Sequence, residues 1–257
     1  MRTVHLTCFD AFGTLPGNPT RGLVAVLSPP PGWRAVRTVL PTSYARVRPA
    51  VDRVFGQEPD AVVMFGYTGQ TDRLRLEHVA RNRDGSPRPD NDGRVGGAVI
   101  RPGAPAAYLA TVDLMPLLSA LYARQAPFTY STDAGGYVCN HGYFLALGRA
   151  RAMRPAVPCL FIHIPMPRTS AQRSQVRRGA AIVLSRVLQA AAEDRGRSPD
   201  PGLNAGSASS WHGRGLSLER QAHHLGQFSS RLHAEFAAED VPVSPVGPLA
   251  FHQVALS

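Results

Sequence analysis

Between Arg2 and Asp194 the chain alternates short apolar runs with segments of helical spacing, and this alternation constrains its fold more than any other feature. "RTVHLTCF", "RAVRTVL", "DAVVMFGY", "PFTYSTD" and "PCLFIHIPMP" have the length and the β-branched or aromatic content of strands, and "LRLEHVARN" alternates as a strand does. Between them "LVAVLS", "YARVRPAVDRVFGQ", "VDLMPLLSALYARQ", "YVCNHGYFLALGRA" and "SQVRRGAAIVLSRVLQAAAED" read as helices, with Pro116 in the first turn of its helix. Such an order predicts an α/β protein of three layers, α/β/α, with a mostly parallel twisted sheet covered on both faces. Functional side chains in that architecture gather at the carboxyl ends of strands. Residues 82–105 are rich in Pro, Gly, Asp and Asn and read as a long loop. A loop of that length inside a compact domain is often functional.

The composition changes after Asp194. "RGRSPDPGLNAGSASSWHGRG" is rich in Gly, Ser and Pro and reads as a linker. Beyond it Leu218, Ala222, Leu225, Phe228, Leu232 and Phe236 recur at helical spacing, which predicts an amphipathic helix over 216–240. The expected organisation is a domain over 1–195 followed by a partly disordered linker and helical tail over 196–257. No internal repeat is present.

Charge and cysteine content exclude several classes of function. The formal charge is +10, and every basic residue is Arg. Without Lys there is no Schiff-base chemistry and no Walker A phosphate loop. The arginines are scattered, in short interrupted groups such as "RLRLEHVARNR" and "QRSQVRR", so no nucleic-acid partner is expected. No apolar run approaches the roughly 18 residues that span a bilayer, and the N-terminal apolar stretch is too short for a secretion signal. A soluble cytoplasmic protein without a membrane partner is the expectation. Three cysteines, Cys8, Cys139 and Cys159, are too few and an odd number for a disulfide scaffold. No set of ligands has metal-site spacing; His223 and His224 lack a Cys or acidic partner. No metal and no cofactor are expected.

Three residues draw attention as chemistry. In "DAGGYVCNHGYF", Cys139 follows a glycine pair and falls in the first turn of a helix, where open N–H groups and the helix dipole favour a thiolate. The bland alternative is a core cysteine on an apolar helix. His163 interrupts the apolar run "LFIHIPMP", and a buried imidazole needs a partner, since an unpaired one costs about 1–3 kcal/mol. It is either a satisfied core histidine or a group projecting from a strand end into a site. Glu77 in "LRLEHVARN" is either an ion-pair partner of a nearby Arg or the carboxylate that orients a base. His141 lies two residues from Cys139 on one helix, so their side chains diverge. His78 faces the opposite side of the strand from Glu77.

Taken in order, these segments resemble the pyrrolidone-carboxylate peptidases, or pyroglutamyl peptidase I, a family of cysteine peptidases. The similarity runs from about Thr3 to Glu193. "TCFDAFG" with "NPT" resembles the N-terminal signature, and "VLPTSY" the second strand. "LEHVARN" and "RPDNDG" resemble the glutamate-bearing segment and the loop after it. "APAAY" and "YSTDAGGYVCNHGYF" resemble the approach to the nucleophile, and "FIHIPMP" the histidine strand. The resemblance implies Cys139 as nucleophile, His163 as base and Glu77 as orienting carboxylate, acting on small peptides with an N-terminal pyroglutamate through a thioester. It also implies that Phe9, Phe12, Tyr67 and Val138 line the lactam pocket. A homo-oligomer, tetrameric in relatives, is implied too, as is a need for reducing conditions.

The chain departs from the family pattern in two places within the body. Thr71 in "GYTGQT" stands where the glycine-rich turn of the family carries Arg, and Tyr67 where Gln is frequent. In "SPRPDN", Pro87 stands where Arg is expected and Arg88 one step later, so Arg88 is the candidate for stabilising an oxyanion. These departures keep two alternatives open: a divergent member hydrolysing a related acyl-amide or lactam, and a non-catalytic basic binding protein on the same fold.

Overall fold

The computed structural model describes residues 1–196; the linker and tail helix expected beyond them lie outside the described residues. The chain runs β1 (Arg2–Phe9), α1 (Pro19–Val26), β2 (Trp33–Leu40), α2 (Tyr44–Phe55), β3 (Ala61–Tyr67), β4 (Leu74–Glu77), β5 (Val79–Arg81), β6 (Ala107–Leu109), α3 (Met115–Ala123), β7 (Phe128–Ser131), α4 (Val138–Ala152), β8 (Cys159–Ile164) and α5 (Ser170–Gly196). No described helix is long and apolar enough to cross a membrane.

The main sheet has the order β2-β1-β3-β8-β4-β7. β2, β1, β3 and β8 are mutually parallel, β4 pairs antiparallel with β8, and β7 is parallel to β4. The mostly parallel α/β sheet expected from the alternation is therefore present, with two strands reversed at one side. The chain order reverses about β1, so right-handed crossovers carry α1 and α2 to opposite faces. α2 packs with α4, and α5 packs with α3 and against β3 and β4. The central strands are buried on both faces, which is why they read as continuous apolar runs rather than alternating ones. Phe9, Val62, Met64, Cys159 and Phe161 join the core formed by α2 and α4. The pleat sends the intervening Val63, Phe65, Leu160 and Ile162 to the other face, where they are equally buried. In register, Phe9 lies beside Leu40 and Tyr67 beside Ile164, so the carboxyl ends of β1, β2, β3 and β8 share one edge.

Three element boundaries differ from the sequence reading. α1 begins at Pro19, upstream of "LVAVLS", because the Asn18 side chain accepts from Thr20 N–H at 3.1 Å and proline suits the first helical turn. α5 begins at Ser170, ahead of "SQVRRG". "LRLEHVARN" is two strands in two sheets: His78 leaves the main ladder, and β5 pairs antiparallel with β6, an element too short to show a period. The break leaves no backbone group orphaned, for His78 N–H donates to Ser131 O and Ala110 N–H donates to His78 O, both at 2.7 Å.

Residues 82–105 contain no helix or strand but are firmly tied. Asn82 donates to Arg101 O at 2.9 Å and accepts from Arg101 N–H at 2.8 Å. Asp90 accepts from Tyr44 N–H at the start of α2 at 2.7 Å. From within α4, buried Asn140 donates to Arg81 O and Arg83 O and accepts from Arg81 N–H, all at 2.9 Å.

Candidate active site

The antiparallel pairing of β4 with β8 sets Arg75 opposite His163 and Glu77 opposite Phe161. Residues two apart share a strand face, so Arg75, Glu77, Phe161 and His163 all project to one side of the sheet. Glu77 then meets His163 on the diagonal, with Nδ1 to Oε1 at 2.8 Å. A carboxylate acceptor fixes the proton on Nδ1 and leaves Nε2 free to accept. The imidazole is packed by the Phe161 ring, 4.8 Å between centroids. Gly66 of β3 makes room for both rings: a Cβ there would stand 2.6 Å from Phe161 and 3.0 Å from His163.

Glu77 is 0 % exposed. Its Oε1 accepts a second hydrogen bond from Arg75 Nε at 2.9 Å, while its Oε2 has no hydrogen-bond partner among the described residues. Arg75 also donates through Nη2 to Asp133 O at 2.6 Å. Glu77 thus has both an arginine and a histidine partner.

Cys139 is the second residue of α4 and is partly exposed, packed against the core between α2 and α4. The helix starts at Tyr137 without a side-chain cap, which leaves its first-turn N–H groups open. Burial pushes the Cys139 thiol up to about 12; the Glu77 charge acts in the same direction, and a backbone hydrogen bond at Cys139 itself opposes both. Burial and the nearby Glu77 charge both disfavour the thiolate at this position. Cys8 and Cys159 are fully buried core thiols, also raised by burial.

The glycine pair ahead of Cys139 has distinct duties. Gly135 has φ +83°, a conformation natural only to glycine. Gly136 lies against the backbone of Gly85, where a Cβ would come within 2.7 Å of the Gly85 nitrogen. Its carbonyl accepts from Gly85 N–H and Ser86 N–H, both at 3.0 Å. The turn leading into Cys139 and the start of the long loop are thereby joined. His141 points away from Cys139, as expected, into a buried pair with Asp84 at 3.0 Å.

An aromatic mouth stands at the carboxyl ends of β1 and β3. The Phe12 ring lies 6.2 Å from Tyr67 and 5.8 Å from Tyr137, and the Arg88 guanidinium caps it at 5.9 Å. Tyr137 donates to Pro89 O at 3.0 Å and so holds the mouth to the long loop. Phe9 and Val138, expected as pocket walls, are 2 % and 0 % exposed and present no surface to a ligand. Phe9 is the inward-facing last residue of β1 and packs on Phe161 at 6.2 Å, so core packing describes it. Thr71 closes a turn, its hydroxyl donating to Arg73 O at 3.0 Å and accepting from Arg73 N–H at 3.2 Å. Arg75, Asn140, Asp84 and Tyr137 were not singled out by sequence. Only Arg75 carried a signal, its i−2 spacing from Glu77. Among the described residues no cluster of His, Cys, Asp or Glu has the geometry to hold a metal ion.

Comparison with known proteins gives a consistent result. The family model described as "Pyroglutamyl peptidase" matches residues 2–192. The pyrrolidone-carboxylate peptidase of Thermococcus kodakarensis is 32% identical over 200 residues, covering 72% of this chain and 96% of that protein. That of Deinococcus radiodurans is 36% identical over 171 residues, covering 64% and 78%. Among solved structures, the pyrrolidone carboxyl peptidase of Thermus thermophilus superposes with a TM-score of 0.66 at 30% identity, covering 71% of this chain and 99% of that one. The pyroglutamyl peptidase I of Bacillus amyloliquefaciens gives 0.65 at 26%, covering 75% and 98%.

Proposed function

The chain belongs to the pyroglutamyl peptidase family, cysteine peptidases that remove an N-terminal pyroglutamate, and we propose that it does so with Cys139 as nucleophile, His163 as general base and Glu77 as orienting carboxylate. The observation that carries this assignment is the 2.8 Å bond between two buried groups, His163 Nδ1 and Glu77 Oε1. A buried imidazole whose Nδ1 faces a carboxylate has its Nε2 lone pair available to accept a proton.

The raised thiol defines the order of events. Because burial and the Glu77 charge disfavour a free thiolate, the Cys139 proton passes to His163 Nε2 as Sγ bonds to the pyroglutamyl carbonyl carbon. Glu77 stabilises the imidazolium that forms. The oxyanion takes hydrogen bonds from the uncapped first-turn N–H groups of α4, and Arg88 adds positive field from the mouth. The imidazolium then gives its proton to the leaving amine, the C–N bond breaks, and a thioester remains. Water, deprotonated by His163, attacks that thioester; free pyroglutamate leaves and the thiol recovers its proton.

Pyroglutamate is a flat, uncharged lactam, suited to the faces of Phe12, Tyr67 and Tyr137. An N-terminal ammonium is refused, because an apolar aromatic slot cannot repay its desolvation. The deciding experiment incubates the protein, under reducing conditions, with a pyroglutamyl fluorogenic amide and with the prolyl amide of the same fluorophore. Release from the first alone, abolished by Cys139→Ser, is expected. No release by folded, fully reduced wild-type protein overturns the assignment.

A further inference from the structure

We propose that Arg75 is a positioning residue for the peptidase reaction, holding Glu77 against His163 while tying that carboxylate to the loop that delivers Cys139; this rests on the catalytic assignment above. The two oxygens of buried Glu77 are not equivalent. Oε2 has no hydrogen-bond partner among the described residues, so Oε1 alone receives the donors: His163 Nδ1 at 2.8 Å and Arg75 Nε at 2.9 Å. Of these two donors only the guanidinium is permanently charged. A buried carboxylate whose cation is removed keeps its desolvation cost and loses its compensation.

The same guanidinium reaches a second target. Its Nη2 donates to Asp133 O at 2.6 Å, and the Ser131 hydroxyl donates to that carbonyl at 3.2 Å. Asp133 opens the turn through Gly135 and Gly136 into the first turn of α4, where Cys139 sits. Arg75 is therefore a rigid planar bridge between the strand that bears the orienting carboxylate and the segment that bears the nucleophile. Its fork geometry allows both bonds at once, which a lysine cannot reproduce.

Electrostatics give the bridge a second consequence. Glu77 is among the groups that make the Cys139 thiol harder to ionise. The titratable and charged groups surrounding this pair are Arg75 on β4, His163 on β8, Tyr44 on α2, Tyr137 at the head of α4 and Tyr143 within α4, whose hydroxyl donates to Glu77 O at 2.9 Å. Arg75 is the one of these that bonds Glu77 with a fixed positive charge, so it moderates the field that the carboxylate exerts on sulfur.

The test is a double-mutant cycle on the full chain, read in two ways. Arg75→Gln lowers kcat/KM for a pyroglutamyl amide about 10- to 100-fold, mostly in kcat, because a charge-assisted bond is lost away from the substrate. It also slows alkylation of Cys139 by iodoacetamide at neutral pH and moves the midpoint of its pH dependence upward. Arg75→Lys recovers part of both, keeping the charge without the bridge. In a Glu77→Gln background the further change Arg75→Gln costs little, since the group it positions is gone. Should Arg75→Gln alone not fold, the double variant, which removes the uncompensated charge, is expected to fold. Losses that multiply in the double variant, or wild-type kinetics and alkylation in Arg75→Gln, overturn the proposal. If wild-type protein releases no fluorophore, the peptidase assignment fails separately, and the alkylation arm still reads Arg75.

Discussion

Glu77 reaches His163 across an antiparallel strand pair, although most of the sheet is parallel: β4 runs against β8, and the diagonal from Glu77 to His163 closes at 2.8 Å. In a diagonal pair the distance is set by the strands themselves and not by a mobile loop, so the imidazole is oriented before substrate arrives. Glu77→Gln keeps the shape and removes the charge. Two changes of opposite sense are expected. kcat/KM falls about 10²- to 10⁴-fold, since the imidazolium loses its counter-charge and the tautomer is no longer fixed. The Cys139 thiol, meanwhile, becomes easier to ionise, because Glu77 contributes to raising it. Steady-state kinetics with ultraviolet titration of the thiolate reads both. A variant with slower turnover and an unchanged or higher thiol titration contradicts the coupling described here.

The three thiols differ in what can reach them. Cys8 and Cys159 are 2 % and 0 % exposed, whereas Cys139 is partly open at the head of α4. Native protein treated with a small alkylating agent is expected to take up one equivalent, on Cys139, with loss of activity in parallel. Unfolded protein takes up three. Because burial holds the Cys139 thiol up at about 12, labelling is slow at neutral pH and accelerates as pH rises. Peptide mapping after limited labelling decides it; modification of Cys8 or Cys159 at a comparable rate sinks the prediction.

Gly136 has no room for a side chain, and the obstacle is backbone. A Cβ would stand 2.7 Å from the Gly85 nitrogen, and main chain cannot rotate aside as a flexible side chain can. Gly136→Ala is expected to cost about 1–3 kcal/mol of stability, as overpacking does, and to displace the turn that feeds Cys139. Denaturant unfolding gives the first quantity. A drop in kcat larger than at Gly97→Ala, where a Cβ meets nothing within 4 Å, gives the second.

Much of this architecture was legible because the physics is local. Parallel strands buried on both faces read as apolar runs, so β1, β3 and β8 stood out, and His163 stood out as the polar interruption of one of them. Cys139 was legible through the glycine pair ahead of it. Long-range geometry was not legible. That "LRLEHVARN" divides between two sheets depends on where His78 finds its backbone partners, Ser131 and Ala110, far along the chain. Phe9 and Phe12 carry the same ring, and which of them meets solvent depends on β1 ending at Phe9, so that Phe9 turns into the core and Phe12 falls on the loop beyond. Arg75 was visible as a neighbour of Glu77, but its second bond, to Asp133 O, required the fold.

His5 carries a pH dependence that no part of the catalytic machinery explains. It lies at the centre of β1, in register with Val36 on β2 and Val62 on β3, and is 0 % exposed. Neither ring nitrogen has a hydrogen-bond partner among the described residues. Burial first, and the charge of Arg34 second, hold its pKa below the usual histidine value of 6.5. A depressed histidine is protonated more readily in the unfolded chain than in the folded one. Its stabilising contribution is therefore complete above about pH 6.5 and is lost as pH falls below that value, by at most about 1.4 kcal/mol per pH unit. His5→Met, which is apolar and does not titrate, is expected to unfold in urea with a weaker dependence on pH between neutrality and mild acid. It should also match or exceed the wild type in stability at the acid end. The difference between the two proteins isolates this residue from all other titrating groups. Parallel curves for the two proteins across that range would show that the imidazole finds a proton acceptor or solvent on acidification, and the prediction would fail.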